Sequence, residues 1–227
     1  MSVTLAIPDL HTPFHHKDAI HFLDAVKSFC KPDLFVLMGD EVDYHNLSFH
    51  DTDPDIPFSA SSELDKAIIY LQDFYKLFPR VTVLESNHGS LVYRKAKFHG
   101  IPRAVIKPYN EILEAPKGWL WKESAIIDGV KYKHSFAKNL KEAVLSEGMN
   151  IAQGHFHTDF EIRYFKRGSE LLWGATVGCL IDYDLMAFNY AKTNIAKPIE
   201  GCFVNDNGLP ILIPMKLDKH NRWTGKL

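Results

Sequence analysis

The sequence predicts an α/β chain, and three observations carry that expectation. Short β-prone runs alternate with amphipathic helical stretches through the first third of the chain. Later, turn-forming clusters separate paired β-prone arms, and polar motifs recur where apolar runs end. Alternation of this kind favours parallel strands joined by right-handed crossovers, with loops gathered at the strands' carboxyl ends.

Taken in order, Val3 to Ile7 is a β-prone run that stops at Pro8. Lys17 to Phe29 carries Ile20, Phe22, Leu23, Ala25, Val26 and Phe29 at helical spacing, with Asp24 and Lys27 on the solvated side. Asp33 to Met38 is short and apolar enough for a buried strand. Ser61 to Phe78 is a long amphipathic helix with Ser61 and Ser62 as candidate caps, and Arg80 to Leu84 is the third strand. Antiparallel hairpins are expected over Ala125 to Lys133 around Asp128-Gly129, over Phe160 to Trp173 around Arg167-Gly168-Ser169, and over Cys202 to Met215 around Asn205 to Gly208. Between them, Lys138 to Ser146 reads as a helix ended by Gly148, and Asn150 to Gln153 as a strand.

With 227 residues, 46% hydrophobic and 24% charged, the chain is expected to form one domain (1–227) with a sizeable core. Tyr44 to Ser59, polar and holding Pro54 and Pro57, reads as a long pocket-bordering loop rather than a boundary. A net charge of -2 and a pI near 6.6 give no global attraction for nucleic acid or membrane, so any hold on a polyanion must come from a local patch or a bound cation. No apolar stretch approaches the roughly 18 residues needed to span a bilayer, and the first ten residues lack the pattern of a secretory signal. A cytoplasmic protein with no membrane partner is the expectation. Cys30, Cys179 and Cys202 have no paired spacing and read as inert thiols.

Five motifs follow one another where strands give way to loops: Asp9-Leu10-His11, Gly39-Asp40-Glu41-Val42-Asp43, Asn87-His88, His134, and Gly154-His155-Phe156-His157. Each alone has a plainer explanation. Asp9 and His11 suit a turn and a surface imidazole, Asp40 and Asp43 suit turn caps, and His134 by itself says little. In an extended segment, His155 and His157 would point to the same side, with Phe156 turned into packing. The ordered set is what points to metal ligation.

In these motifs the chain resembles the calcineurin-like metallophosphoesterase family over Asp9 to His157, about two-thirds of its length. The resemblance implies an αββα fold, two mixed β-sheets packed as a sandwich and flanked by helices. It also implies two divalent metal ions, Asp9, His11, Asp40 and His157 holding one and Asp40, Asn87, His134 and His155 the other. Asp40 would bridge the pair, as a carboxylate with two oxygens can. Ligands of this kind without thiolate favour Mn, Fe or Zn, with manganese first by resemblance. The implied chemistry is hydrolysis of a phosphate ester by a metal-bridging hydroxide. His88 would be general acid to the leaving oxygen, and Asp43 would orient its ring, unless Asp43 is only a turn cap.

The sequence departs from the family at three places. Ser86 stands where a Gly precedes the Asn, Gly89 where an acid follows the His, and Tyr44 where phosphoprotein phosphatases carry an Arg. The last counts against a protein phosphatase. Tyr93 to Lys107 carries Arg94, Lys95, Lys97, Arg103 and Lys107 without an acid, and Tyr93, Phe98 and Tyr109 offer faces for bases. A solvated helix face with buried aromatics is the competing reading. His45, Asn46 and His50 could border the pocket or belong to a mobile loop. Arg163, Lys166 and Arg167 read as a charged hairpin, and Lys216 to Lys226 as a partly ordered basic tail.

The function expected is therefore a phosphodiesterase acting on a nucleotide or nucleic acid. Three alternatives stay open: a phosphomonoesterase, a nuclease subunit that docks an ATPase partner through Leu180 to Lys197, and a metal-free scaffold for a protein partner.

Overall fold

The computed structural model describes residues 2–49, 57–185 and 195–227. Expectations placed on His50, Pro54 and residues 186–194 lie outside that range. The first sheet contains β1 (Val3–Ile7), β2 (Leu34–Leu37), β3 (Val81–Leu84) and β4 (Trp119–Lys122), all parallel, with β10 (Gly201–Asp206) antiparallel beside β1 and β11 (Leu209–Pro214) antiparallel beside β10. The second sheet has the order β5 (Ala125–Ile127), β6 (Val130–Lys133), β7 (Asn150–Gln153), β9 (Glu170–Val177), β8 (Phe160–Arg167). Its β6, β7 and β9 run parallel, and its two hairpins close the edges. Both sheets are thus mixed, as expected.

Strand periodicity explains how the layers form, because successive side chains point to opposite faces. In β1, Leu5 and Ile7 face the helices while Ala6 faces the second sheet. Across β2, Leu37 joins the helical side and Val36 and the following Met38 join the layer between the sheets. Tyr132, Ala152, Trp173, Ala175 and Val177 meet them from the second sheet. Helices α1 (Ala19–Cys30) and α2 (Ala60–Leu77) cover the first sheet with Phe22, Leu23, Val26, Leu71 and Phe74. Helix α5 (Leu140–Glu147) packs Leu140 and Val144 on Ile151 and Leu172 of the second sheet. Two shorter helices, α3 (Leu91–Phe98) and α4 (Tyr109–Ile112), lie between β3 and β4.

Several local expectations are corrected. Helix α2 is capped by Ser59, whose hydroxyl accepts the Ser62 N–H at 3.2 Å while Ser62 reciprocates, so Ser62 is the third helical residue and Ser61 is no cap. Phe29, placed on the apolar stripe of α1, is 74% exposed in the last turn of that helix. Lys27 is not purely solvated. Its Nζ donates to the Leu77 carbonyl at 2.6 Å, closing the end of α2.

The final segment is pinned rather than loose. Arg222 grips the Asp18 carboxylate at 2.6 and 2.7 Å, and the Trp223 N–H donates to the same group at 3.0 Å. Cys179 and Cys202 are buried, Cys30 is half-buried, and all three are free thiols. Among the described residues, no helix is long and apolar enough to cross a membrane.

Candidate metal centre

Each of the five motifs begins within three residues of the end of a strand: β1, β2 and β3 of one sheet, β6 and β7 of the other. Since these strands run parallel within their sheets and the sheets pack face to face, the five loops meet at one end of the layer between them. Backbone bonds lace the loops together. The Asp40 carbonyl accepts from Leu10 and His11 N–H at 3.1 and 2.7 Å, and the Gly154 N–H donates to the His134 carbonyl at 3.0 Å.

Two overlapping groups of ligand atoms result: Asp9, His11, Asp40 and His157, and Asp40, His134 and His155, with the atoms of each group within 4.8 Å of one another. Asn87 joins the second, its Oδ1 lying 2.7 Å from His134 Nε2. Asp40 belongs to both. A third group, His11, Asp43 and His88, adjoins the first. His11, Asp40 and His155 have left-handed backbone, φ 50°, 45° and 67°. Such strain at non-glycine residues costs on the order of 1 kcal/mol each and is tolerated where it aims a side chain. His155 and His157 therefore reach the centre from a tight turn, not from the extended segment the alternation suggested, and they enter different groups.

The donor set fits cations. Asp9 Oδ2 accepts the His155 N–H at 2.7 Å and faces His157 Nε2 at 3.0 Å, while Asp9 Oδ1 is sealed from solvent with no hydrogen-bond partner among the described residues. A Cβ on Gly154 would sit 2.4 Å from that oxygen, so only glycine leaves the carboxylate room there. His134 Nδ1 lies 2.9 Å from the Met38 carbonyl, which can only accept, so this nitrogen donates. In the neutral ring the Nε2 lone pair then faces Asn87 Oδ1 and, at 3.4 Å, Asp40 Oδ2. Three acceptors converge with nothing between them unless a proton or a metal ion is added. Two carboxylates less than 5 Å apart at an effective dielectric of 20 repel by roughly 3–4 kcal/mol, which points the same way.

Protonation equilibria follow that crowding. Burial alone would lower the His11 pKa, but hydrogen bonds to Asp40 and Asp43 and their charges lift it well above its ordinary value. His134 is raised too, the Asp40 and Asp9 charges outweighing its burial. For Asp40, burial pushes upward, yet His134, His11 and His88 hold the carboxyl well below the usual range. Without metal, protons on imidazoles offset the carboxylates.

Asp43 Oδ1 lies 2.5 Å from His11 Nδ1 and 3.4 Å from His88 Nδ1. His88 Nδ1 lies 2.5 Å from the Asp43 backbone carbonyl, which fixes the ring more directly than the carboxylate does. The carboxylate chiefly orients His11. His88 is also tied through its N–H to Asp40 Oδ1 at 3.0 Å.

Ser86 and Glu41 were not singled out by sequence as functional. Ser86 Oγ accepts from the Asp40 and Gly89 N–H groups at 2.8 and 3.1 Å. Glu41 is buried beneath this loop, with Oε1 accepting from Trp121 Nε1 at 3.0 Å and burial pushing its carboxyl up to about 7. Their signal was positional only: each adjoins a residue of the candidate metal-holding groups. His45 and Asn46 are anchored rather than mobile, since the buried Glu63 carboxylate accepts their N–H groups at 2.7 and 3.0 Å.

The basic run lies beside the centre on and after α3. Arg94 donates to the Asn87 carbonyl at 3.1 Å, and Arg94 and Lys95 lie over the Phe49 ring at 5.3 and 4.3 Å. Lys97 lines a shallow cleft with Phe49 and Phe98, and Arg103 stacks 4.3 Å above Tyr93. Tyr93 and Tyr109 meet edge to face at 4.7 Å, and Phe98, 74% exposed, is the most open of the three rings.

No family model matches the chain, and no protein of curated function aligns with it. Among solved structures it is similar to Vps29 of Chaetomium thermophilum at 11% identity, over 99% of this chain and 94% of that one, with a TM-score of 0.44. It is similar to Yfce, a phosphoesterase from E. coli, at 12% identity over 98% and 96%, TM-score 0.49. The nuclease MPE of Pseudomonas putida matches at 9% identity over 92% and 86%, TM-score 0.36.

Proposed function

We propose that this chain is a metal-dependent phosphoesterase of the calcineurin-like kind, a hydrolase that cleaves phosphodiesters of nucleotides or nucleic acid. The observation that carries the reading is the convergence of Asp9, His11, Asp40, Asn87, His134, His155 and His157 from five strand ends onto one spot, with Asp40 common to both groups. Oxygen and imidazole donors of this kind suit Mn, Fe or Zn, and manganese is the first choice.

Two such ions, when bound, supply Lewis acidity toward a phosphoryl oxygen and an attacking water. The chain's own residues do the rest. Asp9 and Asp40 provide negative charge, and the Met38 carbonyl holds His134 with its Nε2 turned to the centre. Asp43 keeps His11 in place. His88, as an imidazolium whose Nδ1–H is held by the Asp43 carbonyl, would give its Nε2 proton to the departing alkoxide and become the neutral ring. Arg94, Lys95, Lys97 and Arg103 form the cationic border along which a polyanionic ester would lie.

The test is turnover by the Mn-loaded protein on matched aryl monoester, aryl diester, cyclic-nucleotide and DNA substrates, with His88→Ala alongside. Diester cleavage is expected to exceed monoester cleavage. His88→Ala should keep its metals and lose about 10²–10⁴-fold on poor leaving groups. Faster monoester turnover would assign a phosphomonoesterase instead, and full activity of the variant would remove His88 as the acid.

A further inference from the structure

Next to the metal ligands, between the start of α1 and Lys66 to Phe74 of α2, lies a cavity of about 550 Å³ that the phosphoesterase chemistry leaves unused. Phe14, Phe58, Tyr70 and Phe74 line it, and its polar groups are His15, Lys17, His21, Lys66, Asp73 and Asp182. Phe14 and Phe58 meet edge to face at 6.1 Å, and Tyr70 and Phe74 each meet the His15 ring, at 4.9 and 5.6 Å. The His15 Nδ1 is shut off from solvent and has no hydrogen-bond partner among the described residues. An orphaned buried nitrogen costs about 1–3 kcal/mol, so it is a place where a ligand atom gains most. Lys66 lies over the Phe58 and Tyr70 rings at 4.6 and 5.9 Å.

We infer that this cavity receives the base of a nucleotide whose phosphate ester is presented to the metal centre. Four aromatic walls suit a flat ring, and base-on-aromatic stacking is worth about 1–3 kcal/mol per base. The orphaned imidazole suits the polar edge of a heterocycle, which a purely apolar ligand lacks. Burial, aided by the neighbouring His16, lowers the His15 pKa to about 4, so near neutrality the ring presents one donor and one acceptor. The cavity adjoins the centre through side chains: Phe14 meets the His45 ring at 6.3 Å, and His45 Nδ1 lies 3.7 Å from Asp43 Oδ2. That the bound nucleotide is a substrate rests on the phosphoesterase reading; that the cavity takes a base does not.

The test is equilibrium dialysis of the full chain against adenosine, which has no phosphate to reach the metal ligands. Saturable binding is expected, weakened about tenfold by Phe58→Ala and by His15→Leu. Phe58 is only half-buried, so its variant should fold, and circular dichroism checks both. Adenosine should be displaced by adenosine monophosphate and by an oligodeoxyadenylate, their relative strengths telling a free nucleotide from an unpaired base within a strand. Absence of binding, equal affinity in both variants, or displacement by neither competitor overturns the inference. Asp40→Asn should lose ester hydrolysis and keep adenosine affinity. Adenosine binding with no hydrolysis of any ester would leave the cavity standing and remove the phosphoesterase, whereas hydrolysis without adenosine binding would remove the cavity alone.

Discussion

Ser86 Oγ accepts the backbone N–H of Asp40 at 2.8 Å, tying the loop after β3 to the residue shared by both ligand groups. The same oxygen accepts the Gly89 N–H, and a Cβ on Gly89 would lie 2.9 Å from it and 3.1 Å from the buried Glu41 carboxylate. Ser86 and Gly89 thus form one arrangement. Ser86 fills the place with a hydroxyl, and Gly89 makes the room.

Ser86→Ala leaves two buried N–H groups without an acceptor, at about 1–3 kcal/mol each. Chemical denaturation should record a loss of that order, and metal titration should give about tenfold weaker Mn binding, the usual scale for a residue that supports a ligand. Gly89→Asp should be more damaging, since it places a second carboxylate against that of Glu41. An unchanged midpoint in Gly89→Asp would contradict the packing described.

Chelation should destabilise the protein. Ions that bind only the folded state contribute RT ln(1 + [L]/Kd), about 2.7 kcal/mol at a hundredfold excess over Kd. Melting scans should show Tm falling in EDTA and recovering in Mn. In Asp40→Asn that recovery should be largely gone, because the shared ligand has lost its charge.

Stability should fall on acidification through His15. Its imidazole titrates near 6.5 unfolded and about 4 folded, so between those values the unfolded chain binds more protons. The contribution is complete above pH 6.5 and is lost as pH falls toward 4, at about 2–3 kcal/mol after allowing for partial solvent contact. Glu200, pushed up to about 7 by burial, acts in the opposite sense. The informative measurement is therefore the difference between parent and His15→Leu in urea denaturation at pH 7 and pH 4.5, which should shift in favour of the variant at the lower pH.

A second acid step belongs to Asp18, whose carboxyl is lowered to about 2, chiefly by its hydrogen bonds from Arg222. Its contribution is present above the unfolded pKa near 3.8 and disappears as pH falls to about 2. Trp223, packed 5.8 Å from Phe22, reports on it. Its fluorescence should change over that window in the parent and lack the step in Arg222→Ala, whose last residues should exchange amide protons several-fold faster at pH 7.

β1, β2 and β3 were legible because each is a short, largely apolar run that ends at a residue of special chemistry, and Asp9, Asp40 and His157 stood out through the order of the motifs rather than singly. Trp119 to Lys122 was not legible as a strand, since two indoles and a lysine show no clean alternation. The parallel pairing of β6 with β7 was equally hidden, because it depends on α5 returning the chain, not on any local turn. Ser86 stood out only as a departure and Glu41 not at all, for their worth lies in what stands opposite, a relation that linear order does not express. The exposed Phe29 and the clasped Arg222 fail for the same reason: burial and pairing are settled by neighbours distant in sequence.

The position of β1 bears on how the chain is made. One of its sides pairs with β2, but the other must wait for β10, some two hundred residues later. Until then a nascent polypeptide carries an open edge of Val3 to Ile7, an adhesive surface for other strands. Products interrupted before residue 201 should accumulate as insoluble material, while the intact product seals that edge with its own last hairpin.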